Sequence, residues 1–183
     1  MMRLKSCAVV GMLGLGLAGL LAGDAASVGG RHGAPAWAEI AWPFLRDQWP
    51  DGRAFRCGAG DCGAELTLTV RVKAGFCNCT TGVADDDDVD RVRDADLLGD
   101  KIAPLAGGHP VTVGWMRGRS RPFEVTSGRN RSGAVTIAFN DKCDVVVATI
   151  AAEDVVSDRA EAAALAFLNG GKVLAWTKVE LGL

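Results

Sequence analysis

The sequence predicts an α+β fold dominated by strands: an antiparallel sheet or β-sandwich of about six strands, with two or three short helices, stapled by disulfide bonds. Three observations support this fold class. Apolar and polar residues alternate in several segments, Gly- and Ser-containing turns join neighbouring segments, and five cysteines follow an export-like N-terminus. Alternation with a period of two is typical of half-buried strands.

The clearest strand is residues 65–73, where Leu66, Leu68, Val70 and Val72 would face the core and Thr67, Thr69, Arg71 and Lys73 would face water. Residues 144–151 are nearly continuous in Val, Ala and Ile, which suits a strand buried on both faces. The six predicted strands are residues 65–73, 111–116, 121–126, 134–140, 144–151 and 172–181.

Three segments predict helices. The strongest is residues 157–169, because Ser157 suits the N-cap and Gly170-Gly171 suits the C-terminal stop. A short helix is predicted between residues 86 and 98. A third is predicted over residues 43–49, where Pro43 fits the first helical position and Trp42 and Trp49 flank an apolar patch. If these tryptophans are exposed, they are candidate partner contacts.

The N-terminus predicts an export signal. Arg3 and Lys5 precede an uncharged apolar run over residues 8–22, which is shorter than the roughly 20 apolar residues of a membrane-spanning helix. We expect a signal peptide over residues 1–26, with a cleavage site that could extend to 38, no stable membrane anchor, and a single exported globular domain over residues 39–183. The composition suggests a bacterial protein, so a periplasmic or secreted location is expected.

Charge is ordinary in sum but segregated along the chain. From Glu39 onward acidic residues exceed basic ones by four, so no nucleic-acid-binding surface is expected. Five arginines occupy one segment and eight aspartates another. The two segments either face each other or form two solvated surfaces. The arginines are Arg117, Arg119, Arg121, Arg129 and Arg131, and the aspartates are Asp85, Asp86, Asp87, Asp88, Asp90, Asp94, Asp96 and Asp100.

The arginine segment is a candidate site for an anionic ligand or a protein partner, with an exposed arginine-bearing hairpin over residues 116–133 as the alternative. For the aspartate segment, calcium binding is the first alternative, since carboxylate oxygens are its ligands. However, Arg91 and Leu97 stand where a calcium loop needs Gly and Glu. Negative charge at a helix N-terminus is therefore the favoured interpretation.

The cysteines predict disulfide bonds in an oxidising compartment. Cys57 and Cys62 flank a tight-turn sequence and should pair. Cys77 and Cys79 are too close in sequence for an unstrained mutual bond, so one of them is the expected partner of Cys143. The odd cysteine then predicts either an intermolecular disulfide or a reactive thiol.

Two alternatives to structural disulfides remain open. Cys57, Cys62, Cys77 and Cys79 form a candidate thiolate site for zinc or copper, although one residue between Cys77 and Cys79 is short for zinc ligands. Thiol-disulfide exchange through Cys77 and Cys79 is the second alternative, although redox catalysts usually carry two residues between their cysteines.

The sequence favours a non-catalytic function. It contains two histidines, His32 and His109, and no Walker, H-E-x-x-H or G-x-S-x-G motif, so no cofactor is expected. His109 is the single imidazole base of the predicted exported domain. We expect an exported binding or accessory protein whose partner is an unidentified protein or anionic ligand. The alternative is a thiolate metal-binding or thiol-disulfide redox protein.

Overall fold

The structure, a computed structural model, describes residues 35–183, so the predicted export signal lies outside the described residues except for its extended alternative up to 38. The strands in this part of the chain are β1 (Trp37–Ile40), β2 (Arg53–Cys57), β3 (Leu66–Lys73), β4 (Lys101–Pro104), β5 (His109–Val113), β6 (Met116–Ser127), β7 (Asn130–Asp141) and β8 (Asp144–Ala152). The helices are α1 (Ala59–Cys62), α2 (Asp86–Val92), α3 (Asp158–Leu168) and α4 (Gly171–Glu180), with a 3-10 helix at Ala95–Leu97. None of the described helices is long and apolar enough to cross a bilayer.

The described strands form one open antiparallel sheet in the order β1-β2-β3-β8-β7-β6-β4. The long strand β6 pairs with β5 along its first half and with β4 along its second half. The predicted strand-dominated antiparallel fold is therefore confirmed. The sandwich alternative is not confirmed, because the sheet is a single open one.

One side of the sheet, the helix face, packs against α3 and α4. Its apolar core takes alternate residues from the central strands, among them Leu68, Ile137 and Ile150. Helix α3 contributes Ala160, Ala164 and Leu168, which recur every four residues and so lie on one side of the helix. The Ser157 hydroxyl accepts the Ala160 N–H at 3.2 Å, which makes Ser157 the predicted N-cap.

The opposite side, the charged face, lies beneath α2 and the 3-10 helix. Val89 and Val92 of α2 pack on Phe123 and Val147 in a smaller apolar cluster. Around this cluster the sheet carries basic side chains: Arg71 and Lys73 of β3, and Arg119 and Arg121 of β6. Successive side chains of a strand point to opposite faces of the sheet. In β3 the apolar residues therefore lie on the helix face, and the basic residues that alternate with them lie on the charged face.

The predicted strand over residues 172–181 is wrong, because the segment is helix α4. Val173 and Thr177 are its buried residues, and their spacing of four places them on one side of a helix. Val173, Thr177 and Val179 are β-branched, a residue type that is enriched in strands. Packing against the helix face overrides this local preference.

The predicted helix over residues 43–49 is also wrong, because the whole connection between β1 and β2 is irregular. Here the Asp47 carboxylate accepts the N–H of Trp49 at 2.8 Å, a local bond that competes with helix formation. Strands β1, β2 and β4 were not predicted. The segment predicted as one strand over residues 111–116 is divided between the end of β5 and the start of β6, because a turn interrupts it at Gly114, where φ is 59°.

Candidate anion-binding site

Strand β3 places two cations inside the protein, on the charged face. Arg71 is 3% exposed and Lys73 is 4% exposed. The prediction that both would face water is wrong, because α2, the 3-10 helix and the loop of residues 41–52 cover this part of the sheet. A charge without water is stable only when it is paired and hydrogen-bonded, so the partners of these two side chains define the site.

The Arg71 guanidinium lies between two carboxylates. Its Nε and Nη2 donate to Asp94 at 2.8 and 2.6 Å, while Nη1 and Nη2 donate to Asp47 at 2.9 and 2.8 Å. Both pairs have the two-pronged geometry that a guanidinium forms with a carboxylate. Burial would lower the pKa of Arg71, but the hydrogen bonds to Asp94 and Asp47 outweigh it and raise the pKa.

Lys73 shares the buried carboxylate of Asp94. Its Nζ lies 2.8 Å from Asp94 Oδ1 and donates to the carbonyl oxygen of Val92 at 2.6 Å. The same ammonium lies 5.8 Å from the ring centre of Trp49 and 5.9 Å from that of Phe76, within range of cation–π attraction. Lys73 is therefore held by a carboxylate, a carbonyl and two aromatic rings.

These side chains border a cavity of about 250 Å³, called here the charged cavity. Trp49 and Phe76 form aromatic walls, with their ring centres 4.9 Å apart. The charged groups in its lining are four cations (Arg71, Lys73, Arg91 and Arg93) and three carboxylates (Asp47, Asp94 and Asp96). Arg91 also lies 3.1 Å from Asp88, which stands outside the lining, so these charges are balanced. The attraction for an anion would come from the two buried cations, Arg71 and Lys73.

The outer wall of the charged cavity is the loop of residues 41–52. Asp47 is 29% exposed at its side chain, whereas Leu45 near the tip is 92% exposed. The Arg71 guanidinium lowers the pKa of the Asp47 carboxyl by hydrogen bonding, an effect that burial partly opposes. Asp47 is therefore a carboxylate at neutral pH.

Two larger clefts, each about 330 Å³, lie at the other end of the sheet around Glu65 and Glu153. Their charged lining residues are surface groups, among them Arg56 and Asp154, and all four of these residues are exposed. A buried and oriented cation gives stronger electrostatic attraction than a solvated one. The smaller charged cavity is therefore the better candidate for an anion.

The predicted arginine site is divided by the structure. Arg119 lies 2.7 Å from Asp86, and Arg121 lies 2.7 Å from Asp90, so these two arginines meet the aspartate segment. The other three lie apart from that contact: Arg117 and Arg129 are exposed, and Arg131 lies 3.5 Å from Glu124 at the surface. Of the two alternatives, the two charged segments therefore face each other at Arg119 and Arg121, whereas Arg117, Arg129 and Arg131 are exposed at the surface.

The aspartates of α2 act as helix-capping groups and ion-pair partners. The Asp85 carboxylate accepts the Asp88 N–H at 3.0 Å, and the Asp88 carboxylate accepts the Asp85 N–H in return, which forms a capping box. The N–H of Gly108 donates to Asp86 and lowers the pKa of that carboxyl, and Arg119 adds to the shift. No group of His, Cys, Asp and Glu side chains suited to holding a metal occurs among residues 35–183.

Four of the five predicted cysteines form disulfide bonds. Cys57 pairs with Cys62 across α1, and Cys79 pairs with Cys143. The four sulfurs of the predicted thiolate site are therefore not brought together as thiolates. Cys77 is the free cysteine within the described residues, and burial, together with Asp144 and Asp88, raises the pKa of its thiol. A raised pKa reduces the thiolate that metal binding or exchange requires.

His109 lies at the surface of β5, with its Nε2 3.1 Å from Glu161 Oε1. Ser120 is directly opposite it in the register of β5 and β6. However, Ser120 is completely buried beneath the helix face, so a substrate carbonyl has no path to its hydroxyl. Ser120 and His109 therefore do not form an accessible pair of nucleophile and base.

The charged cavity was missed at the sequence level. Arg71 and Lys73 alternate with apolar residues, and this pattern is identical for a water-facing side and for a buried side covered by distant segments. The one signal in the sequence that could have indicated the cavity was the tryptophan-rich segment that supplies Trp49. Comparison of the chain with protein-family models and with curated proteins finds no match.

Proposed function

We propose that this protein is an exported, non-catalytic binding protein whose ligand is a small carboxylate with an aromatic or apolar body, bound in the charged cavity. The observation that carries the proposal is the pair of buried cations, Arg71 and Lys73, beside aromatic walls. Ligand sites typically combine apolar surface with a few oriented polar groups. The lining of this cavity is mostly polar, and Trp49, Phe76 and Leu97 supply its apolar part.

The chemistry of the lining supports a carboxylate. A guanidinium presents two parallel N–H donors that match the two oxygens of a carboxylate. The Phe76 ring offers flat apolar surface to the rest of the ligand. The cavity of about 250 Å³ lies below the roughly 300 to 1,000 Å³ of pockets for drug-sized ligands, so the ligand is small.

Export and binding without catalysis are supported by separate observations. Two intramolecular disulfide bonds are consistent with an oxidising compartment such as the periplasm or the extracellular space. The described lining of the charged cavity contains no serine, cysteine or histidine that could act as a nucleophile or imidazole base. Its carboxylates and cations are engaged in ion pairs, an arrangement suited to binding.

Titration with benzoate, followed by tryptophan fluorescence and calorimetry, tests this proposal. We expect saturable binding of benzoate and none of benzyl alcohol, its neutral counterpart. Arg91→Gln removes a rim cation that is 58% exposed, and should weaken binding about two- to fivefold, the effect of a partly exposed charge pair. Arg117→Gln removes an exposed arginine of the segment predicted from sequence and is the matched control.

Three outcomes would contradict the proposal. Absence of saturable benzoate binding would remove the carboxylate site. Equal weakening by Arg91→Gln and Arg117→Gln would move the site away from the charged cavity or reduce it to general electrostatic attraction. Binding of inorganic phosphate in place of benzoate would retain an anion site but overturn the ligand class.

A further inference from the structure

Resting on the proposed function, we propose that Asp47 occupies the position of the ligand carboxylate, and that residues 41–52, called here the Asp47 loop, form a lid that the ligand displaces. The two edges of the Arg71 guanidinium have unequal partners: Asp94 is buried, whereas Asp47 is partly exposed.

The inner edge of Arg71 is permanently engaged. Asp94 is 3% exposed and also lies 2.8 Å from Lys73 Nζ. Removing Asp94 from this position would leave two buried cations short of a counter-charge, which is strongly unfavourable. Asp94 therefore orients the guanidinium and stays with it.

The outer edge of Arg71 has a replaceable partner. Asp47 is partly exposed, and its two oxygens accept from Nη1 and Nη2 at 2.9 and 2.8 Å. This is the geometry in which a free carboxylate binds a guanidinium. Exchange of one carboxylate for another leaves the charge of the cavity unchanged, and the displaced Asp47 regains its hydration in water.

The Asp47 loop contacts the rest of the protein through a small number of side chains. None of the residues 41–52 belongs to the three apolar clusters of the described chain. Trp42 contacts Phe44 inside the loop and lies 5.6 Å from the Arg71 guanidinium, and Leu45 is 92% exposed. Trp49 packs on Phe76, so opening of the loop would uncover the Phe76 ring for the ligand. At the far end, Gly52 lies against Val70 and Arg71 so closely that a Cβ would collide with them, which anchors the loop on β3.

Lid closure predicts weakened apparent affinity. When the binding-competent state is only fractionally populated, the apparent dissociation constant is the intrinsic constant divided by that fraction. A lid that is closed nine times in ten therefore weakens binding about tenfold. Asp47→Asn removes the charge that closes the lid. We therefore expect Asp47→Asn to bind benzoate about tenfold more tightly than the unmodified protein.

The matched control is Asp51→Asn, which removes the same charge from the same loop at an exposed position. We expect its benzoate affinity to equal that of the unmodified protein. Amide hydrogen exchange on the unmodified protein is the independent measurement. Benzoate should increase exchange in residues 41–52 while leaving β3 protected.

The outcomes separate the lid from the binding function. Equal benzoate affinity in Asp47→Asn and the unmodified protein, or slower exchange of residues 41–52 with benzoate bound, would overturn the lid and leave the binding site standing. If Asp51→Asn gained as much benzoate affinity as Asp47→Asn, the lid would also be overturned, because the gain would then be a general effect of removing a negative charge. Absence of benzoate binding in both Asp47→Asn and the unmodified protein would overturn both proposals.

Discussion

The two faces of the sheet are built from the same strands but are held by different forces. On the helix face, Leu68, Ile137 and Ile150 are fully buried against α3 and α4, where apolar burial supplies the stabilisation. On the charged face, α2, the 3-10 helix and the Asp47 loop cover Arg71, Lys73 and Arg121. Carboxylates in or next to those segments neutralise the three cations. The charged face therefore depends on specific carboxylate partners, and not on buried apolar area alone.

Each face also carries one disulfide bond. Cys57 and Cys62 lie in the apolar cluster of the helix face and are five residues apart. Cys79 and Cys143 are 64 residues apart and tie the connection between β3 and α2 to the turn between β7 and β8. The covalent restraint is therefore local on the helix face and long-range at the charged face.

The largest expected effect comes from removing the shared carboxylate of the charged face. Asp94→Ala should lower the free energy of unfolding by about 3–5 kcal/mol, because it leaves Arg71 and Lys73 buried with incomplete charge compensation. Urea denaturation followed by tryptophan fluorescence measures the change. Asp87→Ala, at an exposed aspartate of the first turn of α2, is the control and should cost less than about 1 kcal/mol. Equal small losses in both variants would show that the ion pairs do not support this face.

The disulfide bond that closes the longer loop should contribute more to the free energy of unfolding. In the chain-entropy description, a crosslink across 64 residues contributes about 4 kcal/mol and one across 5 residues about 2 kcal/mol. The double variant Cys79→Ala/Cys143→Ala should therefore lose more stability than Cys57→Ala/Cys62→Ala, as measured by urea denaturation. The reverse order would show that packing of the buried Cys57 and Cys62 outweighs loop closure.

The smallest effect is a difference in acid sensitivity between the faces. The pKa values of Asp47 and Asp86 are lowered in the folded protein, by hydrogen bonds from Arg71 and from Gly108 respectively. The stabilisation from these groups is present above the unfolded aspartate pKa of about 3.9. It is lost as the pH falls from there through the lowered folded values, because the unfolded chain then binds more protons.

Urea midpoints measured between pH 6 and pH 2.5 test this expectation. Asp86→Asn should flatten the fall in stability below about pH 4, whereas Asp87→Asn, at a position without an ion pair among the described residues, should leave the slope unchanged. An unchanged slope in Asp86→Asn would mean that the acid response originates elsewhere in the protein.

Much of the fold was predictable because its signals are local. The alternation in β3, the near-continuous apolar run of β8, and the cap and stop of α3 all act within a few residues, and each element formed at its predicted position. Strand β1 and helix α4 were mispredicted because tertiary packing decided their form. A four-residue edge strand has little pattern of its own, and α4 is helical although it contains the β-branched residues Val173, Thr177 and Val179.

The sequence by itself determined the strand-dominated antiparallel class, the principal helix α3, and a cysteine arrangement in which Cys57 and Cys62 could pair locally. Only the tertiary structure decided that Arg71 and Lys73 are buried and that Asp47 and Asp94 meet at one guanidinium. The reason is physical: a strand's periodicity specifies which residues share a face, but what covers that face depends on segments more than 20 residues away in the chain.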